Sequence, residues 1–281
     1  MIDAVVERVW PGGVDSVEEL GGGITNHNFK VTAGGELYVL RVGGNDTGLL
    51  GIDRAVEHEA SLAAAELGIG PEVVAFLEPE GYLVTRFVEG EVGRVTADEA
   101  APLLRRLHDG PRIPGRFNAF RVGESYAATA RAAGVAFPPA YGEVKETTDR
   151  IERRLGDRPL APCHNDLLPA NFIHGGERLW IIDWEYAGMG DPAFDLANFA
   201  VNNELDEEGD RLLLGAYGGG DPDVHVLMRF VSDYREGMWG VVQQAVSELD
   251  FDFAGYATEH FERLARSAEE PRFRAALAYS R

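Results

Sequence analysis

Over the first ninety residues apolar and polar positions mostly alternate or gather in short runs, the signature of strands. Phe29–Thr32 and Leu37–Val42 flank Ala33-Gly34-Gly35, which reads as a hairpin turn. Val73–Leu77 and Tyr82–Phe87 flank Glu78-Pro79-Glu80-Gly81, a second hairpin. Between them, Asp53 to Leu67 is rich in Ala, Glu and Leu and ends at Gly68, with Pro71 beyond; that predicts a helix with its stop signal. After Gly90 the period changes. Ala97–His108 and Tyr141–Leu155 have helical spacing, and the Pro/Gly stretch 109–118 is a loop between helices. Residues 161–190 return to short strands, and from Pro192 the chain is nearly all helical. The pattern predicts an α+β architecture: an antiparallel sheet with one helix over residues 1–90, then a mostly helical region over 91–281. The boundary falls near residues 88–92.

Composition adds bounds. The 281 residues are 45% hydrophobic and 26% charged, an ordinary globular mixture. Cys163 is the sole cysteine, so no intrachain disulfide forms and a cytoplasmic location is expected. The N-terminus MIDAVVERVW carries acids by residue 7 and does not read as a signal peptide. No apolar run reaches the roughly 18 residues of a membrane span, so no membrane insertion is expected. The net charge of −21 argues against nucleic acid as the main partner, which would need a basic face. The charge is uneven: −11 over 1–93, +3 over 94–158 and −13 over 159–281. The last segment is where clustered carboxylates should be sought.

That segment contains His164-Asn165-Asp166-Leu167-Leu168-Pro169-Ala170-Asn171, then Trp180-Ile181-Ile182-Asp183-Trp184-Glu185. Ile181-Ile182 reads as a buried strand that delivers Asp183 at its end. Asn171 and Asp183 offer oxygen donors, which hard cations require. Asp166 can accept a proton from an alcohol. H-x-D-x-x-x-x-N followed by an aspartate after a strand is the phosphoryl-transfer layout of protein kinases. The other reading is an Asp/Asn-rich turn beside a buried strand. Near the N-terminus, Gly21-Gly22-Gly23-Ile24-Thr25-Asn26 joins two predicted strands. Glycines let backbone N–H groups approach phosphate oxygens, although a plain glycine hairpin is equally consistent with it. His108 and His174 have no metal-ligand spacing with a second His or Cys.

These motifs resemble the choline/ethanolamine kinase branch of the aminoglycoside-phosphotransferase-like kinases. HNDLLPAN and IDWEYAG match that family's catalytic and metal motifs, and Gly190-Asp191-Pro192 with Asp195 matches its G-D-P-x-x-D. The resemblance implies a two-lobed protein-kinase-like fold using ATP and Mg²⁺. It implies Asp166 as catalytic base, Asn171 and Asp183 as metal ligands, and His164 as a brace of the catalytic loop. Gly22, Gly23, Thr25 and Asn26 then belong to the nucleotide loop. Arg41 faces the phosphates and neutralises charge developing in catalysis, with Glu57 as its ion-pair partner and Glu59 as the alternative. Arg86 and Val88 fall where the lobe crossing contacts adenine through the backbone.

The substrate side rests on Trp239-x-x-x-Gln243, Ser247-Glu248-Leu249-Asp250-Phe251 and Tyr256-Ala257. By resemblance Glu185, Trp239, Asp250 and Tyr256 join Asp166 around a small cationic amino alcohol, choline or ethanolamine. Aromatic faces and carboxylates suit a quaternary ammonium, which cannot donate an N–H. Ordinary helix packing is the competing reading for Trp239 and Gln243, which share one face. The chain also departs from eukaryotic choline kinases, which have a second tryptophan where Glu236 stands. A thiamine or aminoglycoside kinase of the same fold, and an inactive kinase-like binding module, are the rivals.

Overall fold

The computed structural model describes residues 2–21, 26–43 and 47–278. Helix α1 (Ile2–Val9) precedes strands β1 (Ser16–Leu20), β2 (Asn26–Ala33) and β3 (Glu36–Gly43). Helix α2 (Arg54–Glu66) follows, then β4 (Val73–Leu77) and β5 (Tyr82–Arg86). The five strands form one antiparallel sheet in the order β1-β2-β3-β5-β4. Both expected hairpins are present. The alternation did not reveal α1, an eight-residue helix that packs Val5 and Val6 on the sheet with Val31, Leu40, Leu77 and Val84.

Register decides which side chains reach the cleft. Tyr38, Leu40 and Val42 share the face that packs with α1, so Arg41 projects from the opposite face. There it meets Glu57 of α2. Asp53 caps α2 by accepting from the amides of Ala55 and Val56.

The second region contains β6 (Glu91–Val92), α3 (Ala97–His108), α4 (Ala119–Ala132) and α5 (Tyr141–Leu155). Strands β7 (Ala161–Cys163), β8 (Phe172–Gly175), β9 (Arg178–Ile181) and β10 (Gly188–Gly190) supply the short β segment. Helices α6 (Pro192–Asn202), α7 (Glu207–Tyr217), α8 (Pro222–Val246), α9 (Phe253–Ser267) and α10 (Pro271–Ala278) complete the chain. The 25-residue α8 is the central post, packed by α4, α6, α9 and α10.

The two regions share apolar core. Ala60 and Ala64 of α2, with Ile69, lie in one cluster with Leu104, Phe172, Ile181, Trp184 and Phe199. The Ile181 amide donates to the Ile69 carbonyl at 2.7 Å. Helix α2 precedes the boundary in sequence but packs across it in space.

Helix α9 is seated on α8 by small residues and by charge. A Cβ on Gly240 would lie 2.7 Å from Tyr256 Cδ1, so glycine there permits the close approach. On α8, Asp233 accepts from His260 Nδ1 at 2.6 Å and from Arg263 Nε at 2.7 Å. Burial alone would push the Asp233 carboxyl up. The bonds from Arg263 and His260 outweigh it and hold the group below the ordinary range. A carboxylate held low in the folded state contributes stability above its unfolded pKa and loses it as pH falls through the folded value. Asp233→Asn is therefore expected to cost on the order of 1–2 kcal/mol at pH 7, half-exposed Arg263 being screened, and little near pH 2. Denaturant titrations at the two pH values check this. An equal loss at both would show that the charge contributes nothing.

Candidate active site

The loop after β7 is built on a buried aspartate. Asp195, in the first turn of α6, is wholly buried and accepts from the backbone amides of His164 at 2.8 Å and Asn165 at 2.6 Å. His108 Nε2 lies 3.0 Å from the same carboxylate. Asn165 has φ of 68°, a left-handed conformation asparagine tolerates better than most residues, and its side chain donates to the Tyr186 carbonyl at 3.0 Å. Asn198, also on α6, accepts from the Leu167 amide at 2.6 Å. Asp166 is thereby fixed between anchored neighbours. His164 braces the loop as the resemblance implies: its Nε2 lies 3.0 Å from the Ile182 carbonyl, and burial depresses its pKa.

Strand β9 ends at Ile181, and Asp183 follows with φ of 66°. Arg41 pairs with both Asp183 and Glu57. Glu57 is buried whereas Glu59 is exposed, which resolves the choice of helix partner. Glu185 is buried and accepts from Asn26 Nδ2 at 2.8 Å and Arg54 Nη1 at 3.2 Å. Arg54 also donates to Glu57 at 2.7 Å and to Asn26 Oδ1 at 2.7 Å. It ties the start of β2, helix α2 and the segment after β9 together. Burial and the nearby Arg41 lower its pKa, against the pull of Glu185.

The donors fit a hard divalent cation. Asn171 donates its Nδ2 to the Asp166 carbonyl at 2.8 Å, so the amide oxygen faces the other way as an acceptor. With the Asp183 and Glu185 carboxylates this is an all-oxygen set, as Mg²⁺ requires. Burial drives the Asp166 carboxyl up, Arg235 opposes it, and Glu236, Asp183 and Glu185 add to the rise, to about 7.

Arg235 Nη1 donates to Asp166 Oδ1 at 3.1 Å and to Glu236 Oε1 at 2.6 Å. Tyr256 Oη donates to Glu236 Oε2 at 3.5 Å, and Trp239 stands edge-on to Tyr256 at 5.8 Å between centroids. The base and the expected aromatic wall are thus joined through two residues of α8. Trp239 also packs on Phe253 and against the main core, as its packing reading expects.

Other expectations fare differently. Gly22, Gly23 and Thr25 lie outside the described residues. Arg86 leaves the site: its side chain lies on the α1 face over Tyr38, bound to Glu36, and its amide donates to the Glu72 carbonyl. The two-residue alternation of a strand puts it opposite Arg41. Val88 stays in the connection between the regions, beside Gly175. Asp250 is exposed on the loop between α8 and α9, apart from the Asp166–Tyr256 chain. His108, Cys163 and Asp195, far apart in sequence, converge within 4.8 Å. Both Asp195 oxygens already accept N–H groups and burial keeps the Cys163 thiol protonated, so the trio is a hydrogen-bond hub.

The comparisons agree with this geometry. The profile of the phosphotransferase enzyme family matches residues 16–230. The chain belongs to that family. A choline/ethanolamine kinase family protein from Mesorhizobium loti superposes with a TM-score of 0.83 at 31% identity, covering 99% of this chain and 98% of that one. Choline kinase LicA from Streptococcus pneumoniae shares the fold, with a TM-score of 0.82 at 24% identity over 95% of this chain and 98% of its own. A LicA complex with AMP has it as well, with a TM-score of 0.78 at 24% identity over 94% and 96% of the two chains. Protein LicA of Haemophilus influenzae is 27% identical over 276 residues, 89% of this chain and 79% of its own. The protein is a phosphotransferase of the aminoglycoside-phosphotransferase-like fold. No helix among the described residues is long and apolar enough to cross a membrane.

Sequence reading missed Arg54 and Arg235. Arg54 carried a faint signal, three residues before Glu57 on one helix face. Arg235 stands directly before Glu236 on α8, a pairing that local sequence alone does not tie to Asp166. The role of Asp195 predicts a consequence. Asp195→Asn replaces two acceptor oxygens by one and leaves a buried amide unpaired, at a cost of about 1–3 kcal/mol. A lowered melting temperature with reduced turnover is expected; an unchanged melting temperature would contradict it.

Proposed function

We propose that the protein is an ATP- and Mg²⁺-dependent kinase that phosphorylates the hydroxyl of a small cationic amino alcohol of the choline/ethanolamine type. The observation that carries this reading is the chain of contacts Asp166–Arg235–Glu236–Tyr256, which joins a base to a pocket of carboxylate and aromatic character. Likeness to choline and choline/ethanolamine kinases supports the same substrate class.

The Asp166 carboxylate accepts the proton of the attacking hydroxyl, and Arg235 fixes the orientation of its Oδ1. Arg41, held by Glu57, offsets negative charge on the transferring phosphoryl group. Asn171 and Asp183 would hold Mg²⁺, with Glu185 beside them, and the bound ion would supply neutralisation of phosphate charge. The Asn26 backbone borders the phosphates, and the Val88 backbone meets the adenine. Transfer is direct, with no covalent phosphoenzyme.

Asp166→Asn is expected to lower kcat by two orders of magnitude or more while leaving ATP affinity within about threefold. Steady-state turnover with Mg-ATP against choline, ethanolamine, thiamine and kanamycin reads both activity and acceptor. Inertness toward choline and ethanolamine alike would end the substrate reading. An active Asp166→Asn enzyme would end the base assignment. ATP binding without turnover on any alcohol would favour an inactive binding module.

A further inference from the structure

The pocket beside Asp166 has a property that an aromatic cation site does not need. Glu236 is 5% exposed, and its carboxyl group faces Tyr256 and Arg235. A carboxylate offers about four acceptor positions. Arg235 and Tyr256 take one on each oxygen, so each oxygen keeps another.

Among the described residues Arg235 is the guanidinium bonded to both Asp166 and Glu236, so two carboxyl groups share one positive partner. Burial disfavours that charge, but Glu236 and Asp166 hold Arg235 firmly protonated. Its Cζ lies 4.4 Å over the Tyr186 ring, which fixes the guanidinium in place. Tyr256 supplies no compensating positive charge: burial pushes its phenol up, and it stays neutral.

Spacing restricts the cation. Nη1 of Arg235 bridges the two carboxylates at 3.1 Å and 2.6 Å, so the bonded oxygens lie no more than about 6 Å apart. A molecule with its hydroxyl on Asp166 and its nitrogen on Glu236 therefore has a short carbon linker.

We infer that Glu236 makes this pocket select an amino alcohol whose ammonium carries N–H groups, primary before secondary or tertiary, over one whose nitrogen is quaternary. An N–H on the ligand fills the remaining acceptors of a desolvated carboxylate. A trimethylammonium presents only methyl groups there and leaves those acceptors unpaired, which is how buried polar sites reject analogues lacking a hydrogen. Trp239 and Tyr256 are already edge-packed against each other and Phe253, so they bound the pocket and contribute less to discrimination.

The inference rests on the amino-alcohol kinase reading, and one experiment separates the two. The values of kcat/KM are measured for ethanolamine, its N-methyl and N,N-dimethyl derivatives, and choline, with wild type and with Glu236→Gln. Wild type is expected to fall along the series by tenfold or more, with the largest drop at the last methylation, where the final N–H disappears. Glu236→Gln keeps one acceptor oxygen for Arg235, presents an NH₂ that Tyr256 Oη can accept, and loses the charge; it should compress the ethanolamine-to-choline ratio to within about threefold and leave KM for ATP unchanged. A wild type that prefers choline overturns the inference. So does an undiminished ratio in Glu236→Gln. Should that variant fail to fold, the wild-type series alone decides, by its order and by where the drop falls. Turnover of thiamine with none of the four amino alcohols overturns the functional reading itself, and this inference with it.

Discussion

Bringing Glu57, Asp166, Asp183, Glu185 and Glu236 into one cleft sets like charges against one another where water reaches poorly. Arg41, Arg54 and Arg235 are what make this arrangement tenable. Each guanidinium is shared between carboxylates from different elements. Arg41 joins α2 to the segment after β9, Arg54 joins both to β2, and Arg235 joins α8 to the catalytic loop. An unpaired buried charge is costly, so removing any one of these arginines would weaken two pairings rather than one. The three positive charges do not balance the five negative ones named here, and the deficit is local.

That network is tenable because of a frame that has nothing to do with charge. Ala60 and Ala64 seat α2 in the apolar cluster of the helical region, one turn from Glu57. Asp195 and Asn198 hold the catalytic loop from below through its amides. Glycine at 240 lets α9 come close enough for Tyr256 to reach Glu236. Each of these is a packing or hydrogen-bonding fact that positions a charged group whose own interactions would not hold it.

Much of this could be read from the chain. The two hairpins and the helix between them follow from short-range periodicity and turn chemistry, which need no tertiary knowledge. Asp166, Asn171 and Asp183 stand at fixed spacing within one motif, and Arg41 ends a strand, so local order carries them. Helix α1 was missed because eight residues at the terminus give little period to detect. Arg86 was misjudged because strand alternation sends neighbouring positions to opposite faces, and an arginine at a strand end looks alike on either. Arg54, Arg235 and the His108–Cys163–Asp195 convergence were illegible for a different reason. Beside the local pairs Arg54–Glu57 and Arg235–Glu236, their meaning lies in partners 31 to 131 residues away, which no local pattern encodes.

The same distinction between local and global settles the bearing of the net charge of −21. At physiological ionic strength a surface charge is largely screened beyond about 8 Å, so most of the acidic excess is felt only by its neighbours. It does not draw a cationic alcohol to Asp166, nor does it repel a nucleotide from Arg41. What each ligand meets is the cleft, where carboxylates outnumber guanidiniums but are arranged unequally. Near Arg41 and Arg54 two positive groups stand close together, on the side proposed for the phosphates. Near Glu236 one guanidinium serves two carboxyl groups, on the side proposed for the amine. An anion and a cation can therefore be bound side by side in one acidic protein, because the partition of charge is made over a few ångströms by the facing of single strands and helices.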